Sequence, residues 1–306
     1  MRPSPIAIAL LVISPWLAGC ASLAPAGDVA GTTGAAAASA APAGTVDHDV
    51  PADDNLNAVL WVQRSVEYRA VSESIYRAAA EALDEALADP QWNALVPGER
   101  GGDDATLPPA VVMDVDETVL DNSPYQARLV RDGLEYDDAT WAAWVEERKA
   151  RPVPGVVEFA RAADAKGVTI LYVSNREQRL ADATLANLRS VGLPVSGDDA
   201  FLGLGTVVEG CAQAGSGKTC RRQLAGRSYR VLMQFGDQLG DFAETAGTTT
   251  AREALHDEYR SWFGERWWVL PNPTYGAWEP ALWSGQRGLS REAKREAKRS
   301  AMRFDQ

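Results

Sequence analysis

The fold of this chain is decided by residues 110–118, which read Ala110-Val111-Val112-Met113-Asp114-Val115-Asp116-Glu117-Thr118. The four apolar residues at its start predict a short buried strand that ends at Asp114. In extended backbone, side chains two positions apart point the same way, so we expect Asp114 and Asp116 to converge on one point. One of the two carboxylates is suited to act as a nucleophile and the other as a general acid.

Three further apolar runs follow along the chain, and each of them ends in polar residues. The runs are residues 168–173, 229–235 and 267–270, which end in Ser174-Asn175-Arg176, Gly236-Asp237 and Pro271-Asn272. Between the runs, apolar residues recur at helical spacing, as in residues 178–191, and this predicts helices there. The same spacing over residues 55–88 predicts a helix before the first strand. Strands that alternate with helices predict an α/β fold with a doubly wound parallel sheet, which binds ligands beyond the carboxyl ends of its strands.

The polar strand ends predict an anion site with a metal. Asp237 would bring a second carboxylate beside Asp114, and two close carboxylates repel each other unless a cation or proton lies between them. Ligation by oxygen alone suits Mg²⁺, and we expect one ion per site. Ser174 adds a hydroxyl donor and Lys218 a positive charge, so the set is suited to phosphate. A single Asp at a strand end is more often a cap or turn residue, but four such features on successive strands argue against that reading for the group.

The composition excludes several other functions. The 306 residues include 42 acidic and 30 basic side chains, with a formal charge of −12, which argues against a nucleic-acid partner. Only two histidines are present, and His48 lies in a low-complexity stretch, so at most His256 is available for chemistry. A three-histidine metal site and a pair of catalytic histidines are therefore excluded.

The two ends of the chain predict an export signal and a basic helix. Residues 1–20 have a basic start, an apolar run and the ending Leu17-Ala18-Gly19-Cys20, which resembles a bacterial lipoprotein signal with Cys20 as the lipidated residue. An ordinary cleaved signal is the alternative. Residues 21–55 are rich in Ala, Gly and Pro and predict a flexible linker. Residues 287–306 predict a solvated basic helix, with contact to an anionic membrane surface as a second reading.

Six segments together carry a resemblance to a known family. They are Val112-Met113-Asp114-Val115-Asp116-Glu117-Thr118-Val119-Leu120-Asp121-Asn122, Tyr172-Val173-Ser174-Asn175-Arg176, Lys218 with Arg221-Arg222, Gly236-Asp237-Gln238-Leu239-Gly240-Asp241-Phe242, Leu270-Pro271-Asn272-Pro273-Thr274-Tyr275-Gly276-Ala277-Trp278-Glu279 and Trp61-Val62-Gln63-Arg64-Ser65-Val66-Glu67-Tyr68. They resemble the class C acid phosphatases of the haloacid dehalogenase (HAD) superfamily. The resemblance implies a HAD-like domain over residues 56–286, with a small, mainly helical cap from about 122–155 and the helix 56–88.

The resemblance also implies a division of labour among the carboxylates. Asp114 would attack phosphorus and become an aspartyl phosphate, and Asp116 would protonate the leaving alcohol and then activate water. Mg²⁺ would be held by the Asp114 carboxylate, the Asp116 carbonyl oxygen and Asp237. Lys218 would screen Asp114 from Asp237.

The same resemblance assigns phosphate-binding and metal-associated positions. Ser174, Asn175 and Lys218 would hold phosphate oxygens. Asp241 would orient a metal-bound water, with a helix cap as the alternative that stays open at this point. The implied reaction is Mg²⁺-dependent hydrolysis of phosphomonoesters, with nucleoside monophosphates as the expected substrates.

Aromatic residues and cysteines add two further expectations. Trp144 and Tyr275 are expected to line the substrate pocket, where a ring could stack on a nucleobase, although packing is the alternative role for any large ring. Cys211 and Cys220 lie nine positions apart around Lys218, which in an oxidising periplasm predicts a disulfide. Two free thiols are the alternative.

Two rival functions stay open at this stage. One is a non-catalytic lipoprotein that binds phosphorylated ligands on a phosphatase scaffold. The other is an exported nucleoside triphosphatase, because residues 212–219 loosely match a phosphate-binding loop, although residues 220–226 look too short for the required helix. The favoured hypothesis is an outer-membrane lipoprotein facing the periplasm or the cell surface, and self-association into a homodimer is left open.

Overall fold

A five-stranded parallel sheet forms the centre of the computed structural model, which describes residues 54–102, 104–212 and 215–304. Its strands are β1 (Pro109–Met113), β4 (Thr169–Glu177), β5 (Phe201–Leu204), β6 (Arg230–Gly236) and β7 (Trp267–Val269). They lie in the order β5-β4-β1-β6-β7, so β1 occupies the middle and pairs with β4 and β6. Two short antiparallel strands, β2 (Leu120–Asp121) and β3 (Arg151–Pro152), pair outside this sheet.

Helices precede the first strand, connect the strands of the sheet and follow the last strand. They are α1 (Leu56–Arg64), α2 (Val66–Ala88), α3 (Ser123–Asp132), α4 (Asp138–Glu147), α5 (Val156–Ala165), α6 (Ala181–Ser190), α7 (Thr219–Ser228), α8 (Thr249–Glu258), α9 (Trp278–Ala281) and α10 (Arg291–Ala301). The connection from β1 to β4 is long and holds α3 and α4 before α5.

Side chains of β1 alternate between two apolar clusters on opposite faces of the sheet. Val111 and Met113 belong to a cluster that includes residues of α2, α5 and α6. Ala110 and Val112 belong to the other cluster, which includes Ala225 of α7. Successive strand residues point to opposite faces, and here both faces are covered by helices. The predicted doubly wound α/β architecture is confirmed.

Ser65 divides the single helix predicted over residues 55–88 into α1 and α2. Its backbone is extended (φ −76°, ψ 143°), and its hydroxyl accepts a hydrogen bond from the Tyr68 backbone N–H at 3.0 Å. A serine that satisfies an exposed N–H group in this way begins a helix. The continuous apolar spacing concealed this cap, so the prediction of one helix was wrong.

Three other elements differ from the sequence predictions. The second strand continues to Glu177, beyond the predicted end at Val173, and the edge strand β5 was not predicted. Residues 220–226 are predicted to be too short for the long helix that a phosphate-binding loop requires, and α7 extends beyond them on both sides but has only ten residues. The position of the preceding strand also argues against such a loop, because β5 ends at Leu204, well before residues 212–219.

The basic helix α10 is held against acidic side chains of the domain. Glu135 pairs with Arg291 and Lys294 at 3.2 Å each, and Lys298 pairs with Glu279. Arg295 pairs with Asp54 at 2.8 Å. Several of the charges on this helix therefore face partners within the chain. Among the described residues, no helix combines the length and the apolar character needed to cross a bilayer.

Candidate active site

Asp114 lies at the carboxyl end of the central strand, where its carboxyl group is 7% exposed. Its backbone N–H continues the ladder with β6 by donating to the Phe235 carbonyl at 2.9 Å. The Lys218 ammonium donates to Asp114 Oδ1 and, at 2.7 Å, to Asp241 Oδ1. Lys218 is itself buried. One lysine thus links the end of β1 to the loop that follows β6.

Three carboxyl groups meet at this point and could hold a metal ion. Oxygens of Asp114, Asp237 and Asp241 all lie within 4.8 Å of one another. Asp237 Oδ2 accepts a hydrogen bond from the Asn272 amide, after β7, at 2.7 Å. Three carboxylates against one ammonium leave excess negative charge, and an all-oxygen donor set is the type that Mg²⁺ prefers. The residues present therefore fit a divalent cation of this class.

Asp241 makes the contact of a helix cap, which was the alternative reading, and it also bonds to Lys218. Its Oδ2 accepts from the Gln238 backbone N–H at 2.9 Å, as in a helix cap, while Oδ1 accepts from Lys218. Gly236 permits this arrangement, because a Cβ built there would lie 2.3 Å from the Asp241 Cβ. The glycine that ends β6 is thus required for close approach of Asp241 to the strand end.

Burial dominates the protonation of these groups. It raises the pKa of Asp114 to about 7, against the opposing effect of the Lys218 charge. Burial also raises the pKa of Asp237 well above its usual value, and the charges of Asp241 and Asp114 add to the increase. Burial lowers the pKa of Lys218, but the two carboxylates outweigh it and the net shift is upward. The cluster therefore favours a cationic lysine and an added positive charge.

Lys218 differs from its expected role in one respect. It was expected to screen Asp114 from Asp237, but its ammonium bonds to Asp114 and Asp241. Asp237 accepts instead from the Asn272 amide and, at 3.4 Å, from the Gln238 amide. The reason is geometric, because the turn that begins after Asp237 carries Asp241 back toward the end of β1.

Asp116 lies close to the cluster but has a different environment. Its side chain is 15% exposed, and its Oδ1 accepts from Arg176 Nε at 2.9 Å and forms an ion pair with Nη2 at 2.8 Å. The Asn122 amide donates to the same oxygen at 2.9 Å. Asp114 therefore contacts a lysine, whereas Asp116 contacts a buried arginine. Two carboxylates in different surroundings are suited to two different chemical roles.

Ser174 and Asn175 are held at the end of β4 by Arg221. The Arg221 guanidinium donates to the Ser174 carbonyl, to Asn175 Oδ1 at 2.8 Å and to the Gly217 carbonyl at 2.9 Å. These bonds join the end of β4 to the loop that presents Lys218. Burial lowers the pKa of Arg221 to about 10, which leaves it charged at neutral pH. Ser174 is buried, whereas Asn175 is exposed.

Arg222 and a disulfide hold the other side of the Lys218 segment. Arg222 forms two hydrogen bonds of 2.7 Å to the Glu99 carboxylate and donates to the Gly240 carbonyl at 2.8 Å. Cys211 and Cys220 are joined by a disulfide with a Cα–Cα distance of 5.6 Å, the pairing that their spacing predicted. Lys218 therefore projects from a segment that is fixed on both sides.

The two aromatic residues expected in the pocket have different surroundings. Tyr275 is partly buried, and its hydroxyl donates to Glu117 Oε2. Trp144 is only 3% exposed, its indole N–H donates to Asn122 Oδ1 at 2.8 Å, and Arg128 covers its ring at 4.9 Å. The stacking role predicted for Trp144 is wrong for this structure, because no ring face is open to a ligand.

Sequence reasoning gave no role to four polar residues around the site. Arg176 and Asn122 hold Asp116, and Asn272 holds Asp237. Glu117, with φ +58°, accepts from the Asn122 backbone N–H at 2.9 Å as well as from Tyr275, and burial raises its pKa to about 8. All four belong to segments that resemble the family, and their place in those segments was the sequence signal that could have indicated a role in the site.

Comparisons with known proteins agree on one family. The model of the family described as HAD superfamily, subfamily IIIB (acid phosphatase), matches residues 30–278. The class C acid phosphatase from Bacillus anthracis is 33% identical in sequence, and the match covers 82% of this chain and 98% of the Bacillus chain. Its structure gives a TM-score of 0.70. A second structure of that enzyme, with tungstate bound, gives a TM-score of 0.71 at the same identity and coverage. Acid phosphatase 1 of Solanum lycopersicum is 26% identical over 171 residues, which span 54% of this chain and 57% of the tomato protein.

Proposed function

This chain belongs to the acid phosphatases of subfamily IIIB in the HAD superfamily, and from that premise we propose that it is a Mg²⁺-dependent phosphomonoesterase. The observation that carries the proposal is the cluster at the ends of β1 and β6. There oxygens of Asp114, Asp237 and Asp241 lie within 4.8 Å of one another, and the buried Lys218 bonds to Asp114 and Asp241. A carboxylate nucleophile beside an anion-binding lysine and a cation site suits transfer of a phosphoryl group.

In the first proposed step, an oxygen of Asp114 attacks phosphorus and the bond from phosphorus to the leaving oxygen breaks. Asp116 gives its proton to that oxygen, so the alcohol departs neutral and the phosphoryl group remains on Asp114 as an aspartyl phosphate. Lys218, Ser174 and Asn175 would hold the phosphate oxygens in place. Fixed donors of this type stabilise the charge that develops in the transition state.

In the second step, water attacks the aspartyl phosphate and the bond between phosphorus and Asp114 breaks. Asp116 takes the proton from the water, and inorganic phosphate leaves. Asp114, the Asp116 carbonyl oxygen and Asp237 would hold Mg²⁺, which neutralises negative charge on the phosphoryl group. Asp241 would orient a water at the metal, while it keeps its bond to Lys218.

We propose nucleoside monophosphates as substrates. Tyr275 follows the last strand and contacts Glu117 next to the carboxylates, which would bring its ring near the leaving group. Trp278, three residues further, is 41% exposed and offers a second aromatic surface. The tungstate bound to the Bacillus anthracis enzyme is a tetrahedral oxyanion, which supports an oxyanion site in the family. The proposed partner is a small phosphomonoester, not a nucleic acid.

We also propose that the enzyme is an outer-membrane lipoprotein facing the periplasm or cell surface, attached through a lipid on Cys20. Residue 20 and residues 21–53 of the proposed linker lie outside the described residues, so this proposal rests on the sequence of the signal. The Cys211–Cys220 disulfide supports it, because disulfides persist in oxidising compartments. Mass spectrometry of the mature N-terminus tests it, and an unmodified Cys20 would contradict it.

Phosphate release tests the proposed reaction directly. Wild type and Asp114→Asn are assayed with AMP and p-nitrophenyl phosphate, in Mg²⁺ and after EDTA treatment. We expect turnover only by wild type in the presence of Mg²⁺. Returning Mg²⁺ to the EDTA-treated wild type should restore its turnover. Equal turnover by the Asn variant would refute the nucleophile, and turnover in EDTA would refute the metal site. A wild type that binds phosphate but never releases it from an ester would support the phospho-ligand-binding alternative.

A further inference from the structure

We propose that Arg176 is a positioning residue for the Asp116 carboxyl group, which it holds by one oxygen so that the other is left for the leaving group. This inference rests on the proposed function, in which Asp116 protonates the leaving alcohol. Arg176 lies at the end of β4, whereas Asp116 follows β1. The contact therefore joins the ends of two neighbouring strands.

Three nitrogen atoms lie close to one oxygen of Asp116. Arg176 Nε and the Asn122 amide each donate to Oδ1 at 2.9 Å, and Arg176 Nη2 forms an ion pair with the same oxygen at 2.8 Å. Within the described part of the chain, every hydrogen bond to this carboxyl group goes to Oδ1. The group is also 15% exposed, unlike the guanidinium, which is 1% exposed. Oδ2 is thus the oxygen of Asp116 that remains for the substrate.

The guanidinium has little freedom of its own. Arg176 Nη1 donates to the Thr184 hydroxyl and Nη2 to Asn122 Oδ1, each at 3.3 Å. The Trp141 ring lies 5.6 Å away. Trp144 donates to that same Asn122 oxygen at 2.8 Å. Helix α4, which carries Trp141 and Trp144, therefore contacts both side chains that hold Asp116. A donor fixed on several sides can hold its acceptor in one orientation.

Arginine suits this role because it donates hydrogen bonds without transferring its proton. Its planar fork offers several N–H groups in fixed geometry, and it keeps its proton throughout the physiological range. Arg176 therefore does not compete with Asp116 as the acid. Holding the carboxyl group in place removes a reorganisation that would otherwise precede proton transfer. The benefit should be greatest for esters whose leaving oxygen needs the proton most.

The test compares two substrates that differ in leaving group. AMP releases a strongly basic alkoxide oxygen, whereas p-nitrophenyl phosphate releases a weakly basic phenolate. We expect Arg176→Lys to lower kcat/KM for AMP by about 10²-fold and for p-nitrophenyl phosphate by less than about fivefold. Asn122→Ala removes the third donor and should show the same selectivity. Arg179→Lys is the matched control, because Arg179 pairs with Glu177 at the surface near the same strand, and it should keep kcat/KM within about twofold on both substrates.

Double substitution separates positioning from a structural effect. If Arg176 acts through Asp116, Arg176→Lys should change kcat/KM of Asp116→Asn by less than about twofold, because coupled residues are not additive. Thermal unfolding checks that each variant is folded. Equal loss on both substrates, or a full further loss in the Asp116→Asn background, would overturn the inference.

Asp116→Asn alone distinguishes this inference from the proposed function. If that variant loses activity equally on both substrates, the general-acid role of Asp116 fails and the inference fails with it. If Asp116→Asn is selective for AMP but Arg176→Lys is not, only the role of Arg176 is wrong. Selective loss in both variants supports both.

Discussion

Ion pairs at the strand ends differ in their surroundings from those along the C-terminal helix. At the strand ends, Lys218 with Asp114 and Arg222 with Glu99 have side chains no more than 7% exposed. Along α10, the paired side chains are 29–65% exposed. Both regions contain many charged side chains, but only the pairs at the strand ends are buried away from water.

The difference shows where charge is retained for chemistry. Burying an ion pair costs desolvation energy that the attraction between the charges offsets only in good geometry, so such pairs are a poor means of stabilising a fold. Exposed pairs cost little and contribute little. The buried pairs here lie around the carboxyl end of the central strand, which is where a doubly wound sheet binds its ligand. Their position favours a role in the site over a role in stability alone.

Lys218 offers the largest test of this comparison. Lys218→Met should lower kcat/KM at least about 10³-fold, because the variant loses an anion-binding donor and leaves Asp114 and Asp241 without their lysine. Phosphate release measures the loss. Lys166→Met is the matched control, since Lys166 pairs with Asp84 at the surface, and it should keep activity within about twofold. Similar losses in both variants would remove the distinction between the two regions.

Glu99 tests the stability of a buried pair. Glu99→Gln should lower the free energy of unfolding by about 3–5 kcal/mol, because Arg222 would remain buried and charged without its partner. Urea unfolding followed by circular dichroism measures the change. A loss below about 1 kcal/mol would mean that water reaches this pair freely, in conflict with its burial.

The disulfide tests whether the Lys218 segment needs its covalent closure. Replacing both Cys211 and Cys220 with Ser should lower the free energy of unfolding by about 2–3 kcal/mol, because the unfolded chain regains the freedom of that loop. Dithiothreitol should reproduce the effect in wild type and leave the double variant unchanged. A thermal midpoint that is equal in all four conditions would contradict the prediction.

Lys298 gives the smallest expected effect. Lys298→Ala breaks the exposed pair with Glu279 and should change the free energy of unfolding by less than about 1 kcal/mol. Its activity should match that of wild type at low and high salt. A loss as large as that of Glu99→Gln would show that exposure does not separate the two sets of pairs.

The fold and the positions of the candidate residues could be predicted because they follow from local patterns. Apolar runs mark the buried strands, and a polar residue after each run marks the edge where Asp114, Ser174 and Asp237 lie. The edge strand β5 escaped prediction because it has only four residues and lacks a distinct pattern. Ser65 escaped because apolar spacing continues on both sides of it.

Contacts between distant residues could not be read in the same way. Glu99 and Arg222 are 123 positions apart, and nothing in either local sequence specifies the other. Arg176 and Asp116 both belong to segments that resemble family motifs, but their contact depends on the register between β1 and β4. Trp144 was assigned to the pocket because an aromatic residue in a cap suits stacking. Its burial is decided by α4 and Asn122.

Three basic side chains at the start of α7 hold neighbouring elements of the site together, and this has a consequence for protein engineering. Lys218, Arg221 and Arg222 fasten the ends of β1 and β4 and the loop after β6. Insertion or deletion of one residue between Lys218 and Arg221 would rotate Lys218 by about 100° around the helix axis relative to the two arginines, so the three side chains could not keep all their contacts at once. Fusion partners belong instead near Val207, which is 91% exposed and lies ahead of the disulfide.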